Sequence, residues 1–123
     1  MERSYVVRKQ NRRNLSLLYQ EPMEQSGYTD QLLSSSIGGN FYMGVSDYSP
    51  HSSDIVTPLF TRDGGMHGLV LEGEFELTLE DEVIALQAGD SFSFSADIPH
   101  RYCNRGSKQA QIVWANTPVT LKR

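Results

Sequence analysis

Reactive side chains are few in this chain, and their spacing narrows what they could do. His51 sits in the loop sequence Ser49-Pro50-His51-Ser52, His67 follows Met66, His100 follows Pro99, and Cys103 lies between Tyr102 and Asn104. An imidazole can ligate a metal, relay a proton or hold an acid. Each task needs partners at a set spacing, and the sequence shows no Ser-His-Asp arrangement, no glycine-rich phosphate loop and no zinc-ribbon cysteine set. Cys103 reads as a strand residue, because no second His or acid lies near it, and His51 reads as surface. Arg62 brings a permanent charge and five donors in a planar fork, a shape that matches a carboxylate or phosphate.

The elements that must position these groups are strands. Residues 68–104 read as a β-meander with its turns written in. Gly73-Glu74 separates the alternating runs Leu69–Leu71 and Phe75–Leu79, Glu80-Asp81-Glu82 turns into Val83–Leu86, and Ala88-Gly89-Asp90 turns into Phe92–Phe94. Pro99-His100 opens a further strand, and Ala110–Trp114 is the last long one before Pro118. Short strands with turn signals at this spacing predict an all-β sandwich or barrel. In Phe75–Leu79 the odd positions are apolar and face inward, and Phe92 and Phe94 alternate with serines in the same way. Upstream, strands are predicted at Tyr5–Arg8, Leu15–Tyr19, Gln31–Ser34 and Asn40–Val45. The segments Met23–Tyr28, Ser34–Asn40 and Tyr48–Asp54 read as turns or loops, and Ile55–Thr61 as extended. Asp90 and Asn104 are expected to fix their turns through their own backbone neighbourhoods, and Trp114 is expected in the core. No amphipathic helix of ten or more residues is visible.

A chain of 123 residues is expected to form one domain over residues 1–123, with N-terminal strands in 1–50 and barrel motifs in 55–114. Its single cysteine excludes an internal disulfide and fits a reducing compartment. Met1-Glu2-Arg3-Ser4 leads into polar, basic sequence, so neither a secretory leader nor a membrane span is expected, and the cytoplasm is the expected location. The net charge of -4, with acidic residues gathered in Glu72–Glu82, lacks the basic footprint of a nucleic-acid surface. The cluster Arg8, Lys9, Arg12 and Arg13 reads as a solvated edge or turn.

Gly89, His100 and Asn104 stand at the spacing of the second motif of the cupin family, which this chain resembles, with Ser95 at its Pro position and Asp97 at its second Gly position. Aligning Gly73 with the final Gly of the first cupin motif puts Met66 at the Glu position, Arg62 at the second His and Phe60 at the first His. The resemblance therefore implies a cupin-type double-stranded β-helix, a jelly-roll barrel with little or no helix. Three of the four usual metal ligands are replaced and His100 is kept. Arg62 cannot ligate, and Met66 offers only a soft thioether. His67 faces away if Met66 faces in, unless a bulge at Gly64-Gly65 shifts the register and lets His67 join His100 at a metal. No cofactor is expected.

A narrower resemblance rests on Gly89-Asp90-Ser91-Phe92, Pro99-His100-Arg101-Tyr102, Asn104 and the ending Ile112-Val113-Trp114-Ala115-Asn116-Thr117-Pro118. These residues are similar to the cupin half of XRE-type helix-turn-helix transcription regulators, whose DNA-binding half would precede Met1. The resemblance implies a sensor domain that binds a ligand rather than an enzyme. Its pocket would be formed by Arg62, Met66, His100, Tyr102 and Tyr42, with Gly68 leaving room for a small organic acid or amino-acid-like ligand. It implies DNA contact only through the helix-turn-helix half, and a homodimer formed through an exposed sheet bearing Leu69 and Leu71 or by exchange of N-terminal strands. Two other readings stay open. One is a stand-alone small cupin enzyme, a metal-dependent dioxygenase or an isomerase. The other is a plugged barrel in which Arg62 and His100 join an internal network with Asp63 or Asp97.

Overall fold

Period-two alternation of apolar and polar residues builds this chain, since each strand buries one side and solvates the other. The computed structural model describes residues 5–15, 27–35, 41–53 and 64–117. Within them lie β1 (Arg13–Asn14), β2 (Tyr28–Leu32), β3 (Tyr42–Tyr48), β4 (Ser52–Ser53), β5 (Gly65–Glu72), β6 (Glu74–Leu79), β7 (Glu82–Gln87), β8 (Ser91–Ser95), β9 (His100–Asn104) and β10 (Ala110–Asn116). The only helical element among these residues is a 3-10 turn at Lys9–Asn11. The all-β jelly roll expected from the sequence is the fold observed.

All described pairings are antiparallel and form two layers, ordered β1-β2-β3-β10-β5-β8 and β4-β9-β6-β7. This corrects the meander reading. Within residues 68–104 only β6 and β7 are consecutive strands that pair, whereas β5 and β6, β7 and β8, and β8 and β9 lie in opposite sheets. The chain does turn at the expected residues, but two of these turns are corners at which it changes layer. At Gly73, φ is +79° and an added Cβ would lie 2.5 Å from the Gln109 carbonyl oxygen. That position suits a residue without a side chain. At the Ala88-Gly89-Asp90 corner, Gly89 N–H donates to Val70 O at 2.8 Å and Val70 N–H to Asp90 O at 2.9 Å, which ties the corner to β5 instead of to β7 alone. Asp90 Oδ2 also accepts from Gln87 N–H at 2.9 Å, the local turn bond its position implied.

The inner faces of the layers meet in a core of Tyr28, Tyr48, Val70, Phe75, Leu77, Leu86, Ala110 and Ile112. Tyr28 stacks on Tyr48 with centroids 5.2 Å apart, and Tyr48 meets Phe75 edge-on at 5.0 Å. Leu77 is 1% exposed, and burial of such a side chain contributes about 1.5–3 kcal/mol. A second cluster joins Leu15, Leu32 and Tyr42, with Trp114 packed against it.

Several boundaries differ from the sequence reading. Tyr5–Arg8 is not a strand: Tyr5 is 90% exposed, and the chain turns where Asn11 N–H donates to Arg8 O at 2.9 Å. The Arg8–Arg13 cluster is thus a turn leading into a two-residue edge strand. β2 begins three residues earlier than expected, β3 runs on to Tyr48, and β10 continues past Trp114 to Asn116 because β3 and β5 pair with it on both sides. The predicted strand at Leu15–Tyr19 lies outside the described residues beyond Leu15, as does the extended segment Ile55–Thr61.

Candidate functional site

The interior carries buried polar side chains at both ends of its aromatic and aliphatic core, and His100 and Asn116 lie toward one of them. Register sets that end. Across the larger sheet, Tyr42 of β3 faces Asn116 of β10, Asn116 faces Met66 of β5, and Met66 faces Phe94 of β8. Paired residues share a sheet face, so these four form one inward row. Opposite them, β9 is paired with β6, His100 with Leu79 and Tyr102 with Leu77. The two layers meet where the Phe94 ring sits 5.0 Å from the His100 ring and 6.4 Å from the Tyr102 ring.

His100 is fully buried at 0% exposure. Pro99 ends the preceding turn, and the His100 ring folds back so that Nδ1 lies 2.8 Å from Ile98 O. When the neutral ring donates from Nδ1, Nε2 carries the lone pair and can accept from an O–H or N–H group. Tyr102 stands two residues on, with its ring 5.7 Å from His100 and within 6.0 Å of both Phe75 and Phe92. Phe92, Phe94 and Tyr102 are partly exposed, so this end is less tightly sealed than the core.

The structure brings together Met66, His100 and Tyr102 through Phe94, and sets Tyr42 one strand beyond Asn116, packed edge-on against Trp114 at 5.7 Å. Arg62 and Asp63 lie outside the described residues. Asp97 is exposed on the turn before His100. Gly68 does not leave ligand space. An added Cβ there would lie 2.1 Å from Phe92 Cζ, so the Phe92 ring occupies the gap. Gly44 is closed the same way by Trp114, at 2.2 Å from Cζ2.

Met66 is buried and His67 exposed, and β5 pairs with β8 in unbroken register from Gly65 to Leu69, so no bulge turns His67 inward. Among the described residues no three His, Cys, Asp or Glu side chains gather as a metal site. Among the described residues, the rings against His100 are those of Phe94 and Tyr102, with the Met66 thioether paired to Phe94, and these do not make the nitrogen and carboxylate set a divalent ion prefers.

Two interior groups escaped sequence reasoning. Ser46 donates to Asp30 Oδ1 at 2.5 Å and accepts from Trp114 Nε1 at 2.7 Å, a relay that ties β2, β3 and β10 together. Asn116, in the stretch that ends the last strand, lies in the inward row at 5% exposure. Its parity with Ile112 was the available signal. Asn104 serves the opposite end, where Nδ2 donates to Tyr48 O at 3.1 Å and Lys108 O at 2.8 Å, while Oδ1 accepts from Gly106 N–H at 2.9 Å.

Residues 57–116 match the family model described as Cupin domain. The fold is that of a cupin. Over 54 residues the chain is 40% identical to the HTH-type transcriptional regulator PuuR of Escherichia coli (strain K12), a segment that is 44% of this chain and 29% of the relative. Among solved structures it resembles the Cupin_2 domain of an XRE family transcriptional regulator from Enterobacter cloacae, with TM-score 0.65 and 20% identity over 79% of this chain and 99% of that one. An RmlC-like cupin from Shewanella frigidimarina superposes with TM-score 0.73 and 14% identity over 95% of this chain and 93% of that one. A structure of oxalate oxidase gives TM-score 0.63 and 17% identity over 76% of this chain and 52% of that one. At these identities the structural likenesses establish the fold, which serves enzymes and regulators alike.

Proposed function

We propose that this cupin is the ligand-sensing part of a transcription regulator and that it binds a small organic acid or amino-acid-like molecule at the His100 end of the barrel. Arg62 would clamp the acid, His100 and Tyr102 would supply polar contacts, and Met66 and Tyr42 would border the site. The observation that carries the reading is buried Met66. It faces inward where a metal-binding cupin would place a carboxylate, and it pairs across the sheet with Phe94, whose ring lies against the His100 imidazole. The segment shared with a named regulator supports the regulatory setting. DNA contact would belong to a helix-turn-helix half of the full protein, and ligand occupancy would act by favouring one arrangement of that assembly over another.

Thermal melting in the presence of C3–C6 dicarboxylates and α-amino acids tests the proposal. A ligand at a hundredfold its Kd stabilises by about 2.7 kcal/mol, which shifts Tm by several degrees. Arg62→Met and His100→Leu, shown folded by circular dichroism, are expected to lose the shift. Purified protein carrying near-stoichiometric iron, manganese, zinc or nickel, with turnover that depends on that metal, would instead establish the enzyme reading.

A further inference from the structure

Asn116 Oδ1, like Arg101 Nε, is a buried side-chain atom without a hydrogen-bond partner, and Asn116 is the one of the two on the inward row of the larger sheet. Asn104 and Ser46 are each bonded more than once, whereas Asn116, at 5% exposure, has its Oδ1 buried with no hydrogen-bond partner. Leaving such an acceptor unmet is destabilising, and an unmet group in a folded interior calls for a cause. Strand register dictates where the amide sits. Asn116 pairs with Tyr42 on one side and Met66 on the other, and Met66 pairs with Phe94, whose ring touches His100. The backbone there is held firmly, because Gly65 N–H donates to Thr117 Oγ1 at 2.7 Å and Thr117 N–H to Gly65 O at 3.2 Å. A side chain fixed on a rigid strand, facing the same end as His100, is arranged to read a ligand.

We infer that the Asn116 carbonyl oxygen accepts an N–H of the bound molecule, so that the ligand carries a nitrogen donor as well as an acid group. This inference rests on the sensing proposal and narrows its ligand class from organic acids at large to amino-acid-like compounds. A plain dicarboxylate at neutral pH has no donor to offer and leaves Oδ1 unmet, while an amine or amide satisfies it.

The probes are matched pairs that differ by one amino group, L-aspartate against succinate and L-glutamate against glutarate, titrated calorimetrically into the wild type, Asn116→Leu and Asn116→Val. In at least one pair the wild type is expected to bind the amino compound about tenfold or more tightly than its nitrogen-free partner. Both variants are expected to erase that preference, the amino compound losing more affinity than its nitrogen-free partner. Without ligand, Asn116→Leu is expected to melt higher than the wild type, since it removes an unpaired polar atom from the interior. Lower melting or failure to fold in both variants would make Asn116 a structural residue, bridged by water, and overturn the inference. Binding of the acids without an amino preference would overturn it too, yet leave the sensing proposal standing. Failure of every compound in both series would remove both.

Discussion

At Cys103, chemistry depends on what covers a residue more than on what it is. The thiol is buried on the outer side of β9, with Sγ 3.4 Å from Glu76 Oε1, and Glu76 is in turn paired with exposed Arg105 at 2.7 Å. Burial first, and the Glu76 charge second, push the thiol above its ordinary 9.0. Above about pH 9 the unfolded chain releases this proton while the folded chain keeps it, so stability falls as pH rises through the folded value. Below pH 9 both states hold the proton and the contribution is fully present. Urea midpoints at pH 8 and pH 10 are expected to drop further for the wild type than for Cys103→Ala, and equal drops would contradict this account. The same shielding makes Cys103 a poor nucleophile, and slow alkylation of the native protein by iodoacetamide at pH 8 is the matching expectation.

Strands were legible in this sequence wherever one face is wet. The alternation in Phe75–Leu79 and Phe92–Phe94 gave the inward residues correctly, since period two leaves no other way to bury a single face. Contacts between elements were less legible. Gly68 reads as space for a ligand and is the seat of the Phe92 ring, which stacks on Phe94 and lies tilted against Tyr102, 6.0 Å from each. Gly68→Ala would drive a methyl group into that ring and is expected to cost about 1–3 kcal/mol. Gly65→Ala on the same strand meets only His67 Nε2 at 3.6 Å and is expected to change stability by less than about 0.5 kcal/mol. Urea denaturation of the two variants measures the difference, and equal costs would mean that the Phe92 packing is not what excludes a side chain.

At the scale of the whole molecule, the larger sheet turns an apolar strip outward. Leu69 and Leu71 are 37% and 48% exposed, and Met43 is 37% exposed on the same face. Opposite parity from Met66, Gly68 and Val70 put them there. This strip is the predicted homodimer face, and light scattering after size exclusion is expected to give twice the 13.9 kDa chain mass at micromolar concentration. Leu69→Lys combined with Leu71→Lys is expected to give a monomer of unchanged circular dichroism. A monomeric wild type would rule the face out.

The sequence by itself determined the strand periodicity and the turn residues Gly73 and Asp90, because these depend on local sterics and on the two faces of a pleated strand, while the unbroken pairing of β5 with β8 decided that His67 turns outward. Tertiary structure alone decided that successive strands change sheets, that Phe92 fills the gap at Gly68, and that Asn116 comes to lie two strands from Phe94 and its neighbour His100. Those outcomes depend on which strands lie side by side, and pairing between distant segments is set by closing both apolar faces at once, a condition no short stretch of sequence contains.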